Sequence, residues 1–302
     1  MRSYLGALAL GLTGLTSASH AQSADLIFGE RAYALAMDDR CALFSEAQRD
    51  ALDAARLQAR GVLLRGGVAA YRLNDYSAQL NRDAAGQACS AATTLAMRDR
   101  VIDAFSGYVR MRAMNFPGEA FGWAADRQAF TADAAWVLVQ DTGVVRAGLA
   151  AVNGHLSFSV SSPSEEEFTS AVLVTRDPAR SAELYDPTSS GMFQAPAEAE
   201  WARWTPPEHA RRLVWARRQI ATPDTELLFE DGENRPLYHF PDSAIEALAG
   251  LDPRESARID YMDQQGNRVR SVYIEVGDFN AALAFLRAAL TAAMEEQTTR
   301  LP

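Results

Sequence analysis

Cys41-Ala-Leu-Phe-Ser45-Glu-Ala-Gln48 opens, and Ala88-Cys89 closes, the stretch whose reading decides the fold. Between these cysteines, the only two in the chain, lie two helical patterns of nearly equal length separated by Gly66-Gly67. Ser45 and Gln48 have the spacing of a capping box, in which hydroxyl and amide satisfy the orphan N–H groups of a helix start. Ala51, Leu52, Ala55, Ala59, Val62 and Leu63 continue as one apolar stripe up to the glycine pair, which breaks a helix cheaply. A second pattern follows from about Val68 to Ala88, through Tyr76, Leu80 and Ala84. Helices of about 21 residues each rise about 30 Å, so an antiparallel hairpin returns the chain to its starting level. Cys89 is therefore expected beside Cys41. In an oxidising compartment the two should be bonded, closing a loop that constrains the unfolded chain by roughly 4 kcal/mol on the entropic model. Reactive pairs usually sit in a Cys-x-x-Cys turn, an arrangement these cysteines lack.

The compartment is read from the N-terminus. Met1 to Tyr4 is a short basic start, Leu5 to Leu12 an apolar run, and Ser19-His20-Ala21 a small-residue exit. This is the pattern of a secretory signal, with cleavage expected before Gln22. The run is shorter than the roughly 18 to 20 apolar residues that span a bilayer, and there is no later candidate span. With no cysteine near the cut, lipid modification is not expected. The mature protein is expected to be periplasmic or secreted, without a transmembrane span.

Flanking helices complete the first part of the chain. Ile27, Ala32, Tyr33 and Met37 recur at helical spacing from Leu26 to Arg40. Met97, Val101, Ala104, Phe105, Tyr108 and Met111 mark a fourth helix from Thr94 to Ala113, which closes a small bundle. Beyond Asn115-Phe116-Pro117-Gly118 the period changes to alternation. Ala134 to Gln140, Val144 to Val152, His155 to Ser161 and Phe168 to Thr175 read as strands. Asp141-Thr142-Gly143 and Asn153-Gly154 are the turns between the first three. In the third strand Leu156, Phe158 and Val160 are expected to be buried and Ser157, Ser159 and Ser161 wet.

The span from Arg176 to Pro207 reads as a long surface excursion with Tyr185, Phe193, Trp201 and Trp204. Leu213 to Ile220, Glu226 to Phe229 and Pro236 to Phe240 read as further strands. Ser243 and Glu246 suggest a capping box for a short helix ending at Gly250, and Asp252-Pro253-Arg254-Glu255 one more helical turn. Arg258 to Met262 and Arg268 to Val276 form a last hairpin. Asp278 should cap a final helix, with Phe279, Leu283, Leu286, Leu290 and Ala293 facing the sheet as its lid. The fold class is α+β: a signal peptide over 1–21, a disulfide-linked four-helix domain over 22–115, and an antiparallel β-rich domain with a covering C-terminal helix over 116–302.

The stretch Tyr238-His-Phe-Pro-Asp242, with Ile245, Leu248 and Gly250, then a hairpin, then Val276-Gly-Asp-Phe279-Asn-Ala281-Ala282-Leu283, is similar to the end of the invasion-associated locus B family of exported alphaproteobacterial proteins. The similarity covers about 60 residues, and the chain lacks the cysteines usual in that family's β-domain. More loosely, the whole chain resembles exported proteins of the same bacterial group. The resemblance implies an exported β-rich domain, and it transfers no catalytic residue.

Composition excludes several chemistries. The formal charge is -10, and all 29 basic residues are arginine. Without lysine there is no Schiff base, phosphate-loop lysine or Ser-x-x-Lys arrangement. The acidic balance argues against nucleic acid. Past the signal stand His155, His209 and His239, no two at metal-ligand spacing, so neither metal nor cofactor is expected. No Gly-x-Ser-x-Gly elbow marks a nucleophile. The one charge anomaly is Arg203, Arg211, Arg212, Arg217 and Arg218. On one continuous strand Arg211 and Arg217 would share a face, with Arg212 and Arg218 on the other. Trp201, Trp204, Arg211, Arg212, Arg217 and Arg218 are the candidate contact residues, for a protein or anionic envelope partner. The preferred function is a non-catalytic envelope binding module. Its alternatives are a periplasmic hydrolase with scattered active-site residues and a structural or stress-related envelope protein.

Overall fold

A computed structural model describes residues 15–132, 134–152, 155–163, 168–181, 206–219, 228–229 and 235–300. The fold is α+β. Four helices come first: α1 (Leu15–Cys41), α2 (Glu46–Arg65), α3 (Ala70–Ala85) and α4 (Ala92–Tyr108). Cys41 and Cys89 are bonded, with their Cα atoms 5.6 Å apart. At the start of α2 the expected reciprocal cap between Ser45 and Gln48 is present. The fourth helix ends five residues before the expected Ala113. Arg127 explains the stop: its Nη1 donates to the carbonyls of Tyr108 (2.8 Å) and Met111 (3.2 Å), taking acceptors that a further turn would use.

The strands divide into two antiparallel sheets. The first contains β1 (Ala113–Phe116), β2 (Trp123–Asp126), β3 (Ala134–Asp141), β4 (Arg146–Val152), β5 (His155–Ser161), β9 (Leu237–Phe240) and β8 (Arg217–Gln219), in the order β1-β2-β3-β4-β5-β9-β8. The second contains β6 (Ser170–Arg176), β7 (Arg211–Trp215), β10 (Ser256–Met262) and β11 (Arg268–Glu275), in the order β11-β10-β6-β7. β1 takes in Asn115 and Phe116 of the expected break, Pro117 and Gly118 lie outside any strand, and β2 is a strand the alternation does not predict. Asn153 and Gly154 lie outside the described residues, but Val152 stands opposite His155 as a tight hairpin requires.

One apolar core fills the space between the sheets. Leu149, Phe158 and Tyr238 come from the first sheet and Leu173, Ile259 and Ile274 from the second. Gln140 stitches the sheets together: its Nε2 donates to Glu275 O (3.1 Å), and Glu275 N donates to its Oε1 (2.8 Å). Leu57 of α2 and Tyr108 of α4 pack against the same core.

Two further helices follow β9: α5 (Ser243–Ala249) and α6 (Phe279–Arg300). The expected cap at Ser243 is not formed. Asp242 already has helical dihedrals (φ -54, ψ -28), and Ala244 N bonds Pro241 O, so Ser243 sits inside the first turn. Asp252 to Glu255 makes a hydrogen-bonded turn and not a helical one, with Glu255 N donating to Asp252 O (2.9 Å). α6 covers the first sheet as expected, through Phe279 against Trp123 and Phe158. It is more than a lid, however. Residues 281–286 are all buried, because α2 lies along its other side. Arg65 at the end of α2 makes a bidentate pair with Asp278 (2.8 and 2.9 Å), so the carboxylate expected to cap α6 serves as an interhelical tie.

Candidate functional site

The arginine-bearing segment is broken in two by the sheets. β7 pairs with β6 in the second sheet, and β8, one residue later, pairs with β9 in the first. The expectation of a single strand over Leu213 to Ile220 is therefore corrected: the chain crosses between sheets at Ala216. Arg217 and Arg218 stand opposite His239 and Tyr238, in a different sheet from Arg211 and Arg212. Trp201, Arg203 and Trp204 lie outside the described residues.

Arg211 is held locally. Its Nε donates to Pro206 O (2.7 Å), and its Nη1 lies 3.7 Å from Glu208. Burial, followed by the field of Arg258, lowers its pKa below the usual arginine value. Arg258 itself is chelated by Asp260 at 2.8 and 2.9 Å, which neutralises the cation. The anionic-partner patch is thus diluted on this side.

β7 offers a different surface. Leu213 and Trp215 are 55 % and 54 % exposed. Asp177 N donates to Ala210 O, and Ala216 N donates to Ala171 O, so the even-numbered positions 210 and 216 face β6. By the alternation of an antiparallel ladder, the backbone groups of Arg211, Leu213 and Trp215 face away from β6. Among the described residues no strand pairs with that edge.

A second cluster lies on the outer face of the first sheet. Register places His239 opposite Ser159. Its Nδ1 is 2.7 Å from Ser159 Oγ and 2.9 Å from Ser157 Oγ, and the two hydroxyls are 3.2 Å apart. Ser159 and Ser161 are fully buried, which corrects the expectation of a wet serine face. Burial lowers the pKa of His239, favouring the neutral ring. Its Nε2 is buried and has no hydrogen-bond partner among the described residues. A serine can lose a proton to such a ring, but no described carboxylate orients the imidazole as a third catalytic group would. His155 and His209 are exposed, one at the start of β5 and the other in a single 3-10 turn. Among the described residues no three His, Cys, Asp or Glu side chains are grouped to hold a metal.

Two recesses flank α4. One, of about 310 Å³, lies between α2 and α4; the other, of about 530 Å³, lies between α1 and α4. Arg31, Val101 and Ala104 line both.

No protein-family model, curated protein or solved structure matches the chain. Sequence pattern placed Leu213 and Trp215 in a strand but gave no sign that the strand was an edge. It also showed the serine alternation and His239 separately, whereas only the β5–β9 register joins residues 80 positions apart.

Proposed function

We propose that the protein is an exported, non-catalytic binding module of the cell envelope that takes up an extended segment of another protein along the edge of β7. The observation that carries this reading is the exposure of Leu213 and Trp215 on a strand whose outward backbone groups have no strand partner among the described residues. Folded proteins usually blunt such an edge with charge, proline or a covering loop. Left open, it is a template for strand addition, in which main-chain bonds give affinity and alternate side chains give specificity. Export rests on the signal-like N-terminus. Among the described residues no helix is long and apolar enough to cross a membrane.

Leu213→Pro tests the reading. The Leu213 N–H is not part of the β6 ladder, so proline removes an outward donor while the sheet is retained. Captures from envelope extract should lose their bound chains with Leu213→Pro and with Trp215→Glu. Identical captured sets for wild type and both variants would sink the proposal.

The Ser159–His239 contact supports a second reading as a hydrolase. Covalent labelling by a fluorophosphonate that disappears in Ser159→Ala would favour it over the binding module.

A further inference from the structure

We propose that the paired recesses around α4 bind a long-chain carboxylate, a function separate from the β7 edge. Ala51 and Ala55 of α2, Ala34 of α1 and Ala104 of α4 line the gaps. Small side chains normally let helices approach closely, yet here spaces of about 310 and 530 Å³ separate α4 from its neighbours. Both recesses open to the surface, where Ala104 and Arg100 are exposed. These volumes fall within the range of sites for small molecules.

α4 is anchored at both ends, and between them Met97 and Val101 are buried in a cluster with Ala34 of α1 and Leu52 of α2. The disulfide ties the loop before it to the end of α1, while Arg127 binds the carbonyl of its last residue, Tyr108. Between these anchors the helix spans the two recesses, which meet at Val101 and Ala104.

Charge selects the ligand's head. In a chain of net charge -10, two arginines line the α1 side, Arg31 at the junction of the recesses and Arg100 on α4. Glu30 also lines this side, but it is 70 % exposed and 3.8 Å from Arg31, the outer limit of an ion pair. Arg100 has no carboxylate partner among the described residues. The α2 side is walled by Leu52, Phe105 and Met111 and contains no acid. An anionic head at Arg31 and Arg100 with an alkyl chain running toward Phe105 matches both ends. A cationic amphiphile matches only one.

The test titrates the mature full-length protein with dodecanoate, below its micelle concentration, by calorimetry. Saturable one-to-one binding is expected, rising about fourfold per methylene from octanoate to dodecanoate. Arg31→Gln with Arg100→Gln should weaken it about tenfold. Ala104→Leu, which fills the junction, should abolish it; Ala55→Leu on the facing wall provides the same block should Ala104→Leu fail to fold. Absence of saturable binding to the wild type overturns the proposal, as does equal affinity for dodecyltrimethylammonium. Unchanged affinity in the filled variant also overturns it.

Discussion

Gly61 and Asp278 are in direct contact: a β-carbon built at Gly61 would overlap Asp278 Oδ1. The glycine lets α2 pass close to the start of α6, so that Arg65, one turn further along, can reach the same carboxylate with both terminal nitrogens. The Asp278 side chain is fully buried, and burial raises its pKa despite Arg65. Gly61→Ala should therefore displace a desolvated ion pair, costing about 3 kcal/mol. Gly107→Ala in α4 meets nothing within 4 Å and should instead stabilise by up to about 1 kcal/mol. Opposite signs in urea unfolding of the two variants would confirm the contrast. Destabilisation of similar size in both would refute it.

Glu275 is bound almost entirely by backbone. Its Oε2 accepts from Glu119 N (2.5 Å), and its Oε1 accepts from Ala120 N (2.7 Å) and Phe121 N (3.2 Å). These donors belong to the loop between β1 and β2, so the carboxylate fixes that loop against β11. Glu275→Gln would turn one acceptor into an N–H group facing another N–H group. The expected cost is about 2 kcal/mol, seen as a lower denaturation midpoint at unchanged slope.

Local signals proved legible where they depended on neighbours in the chain. The Ser45–Gln48 cap, the Gly143 turn and the β10–β11 hairpin with Gly266 at positive φ follow from a few adjacent residues. Misreadings arose where a distant group intervened. Arg127 ends α4, Arg65 takes the carboxylate of Asp278, and His239 keeps Ser159 dry. The division into two sheets was not legible either. Nothing local to Ala216 reveals that the strands on its two sides join different partners. The β7 edge was invisible for the same reason, since an edge is defined by strands elsewhere in the chain.

The disulfide closes a loop with a sequence separation of 48 residues. Replacing both cysteines by serine should cost about 4 kcal/mol on the entropic model. The loss should be uneven, because α2 stays packed against α6 whereas α3 and α4 lose a covalent anchor. Amide exchange measured by mass spectrometry should show protection falling first in Ala70–Tyr108 while β10 and α6 keep theirs. Uniform loss across both regions would mean that the helices and sheets open as one unit.

His239 gives the fold a pH dependence. Burial lowers its folded pKa below the ordinary 6.5, so the unfolded chain binds a proton more readily than the folded one does. Its contribution is therefore present in full above pH 6.5 and is lost as the pH falls through that value toward the lower folded pKa. The proton would arrive at a ring whose Nδ1 lies against two serine hydroxyls and whose Nε2 is buried. His239→Asn removes the titration while keeping a polar group near Ser157 and Ser159. Stability of the wild type relative to this variant should fall between pH 7 and pH 5, measured by urea unfolding at a series of pH values. A difference that stays constant over that interval would show that the ring is free to charge in the folded protein, and would remove its burial as a source of acid sensitivity.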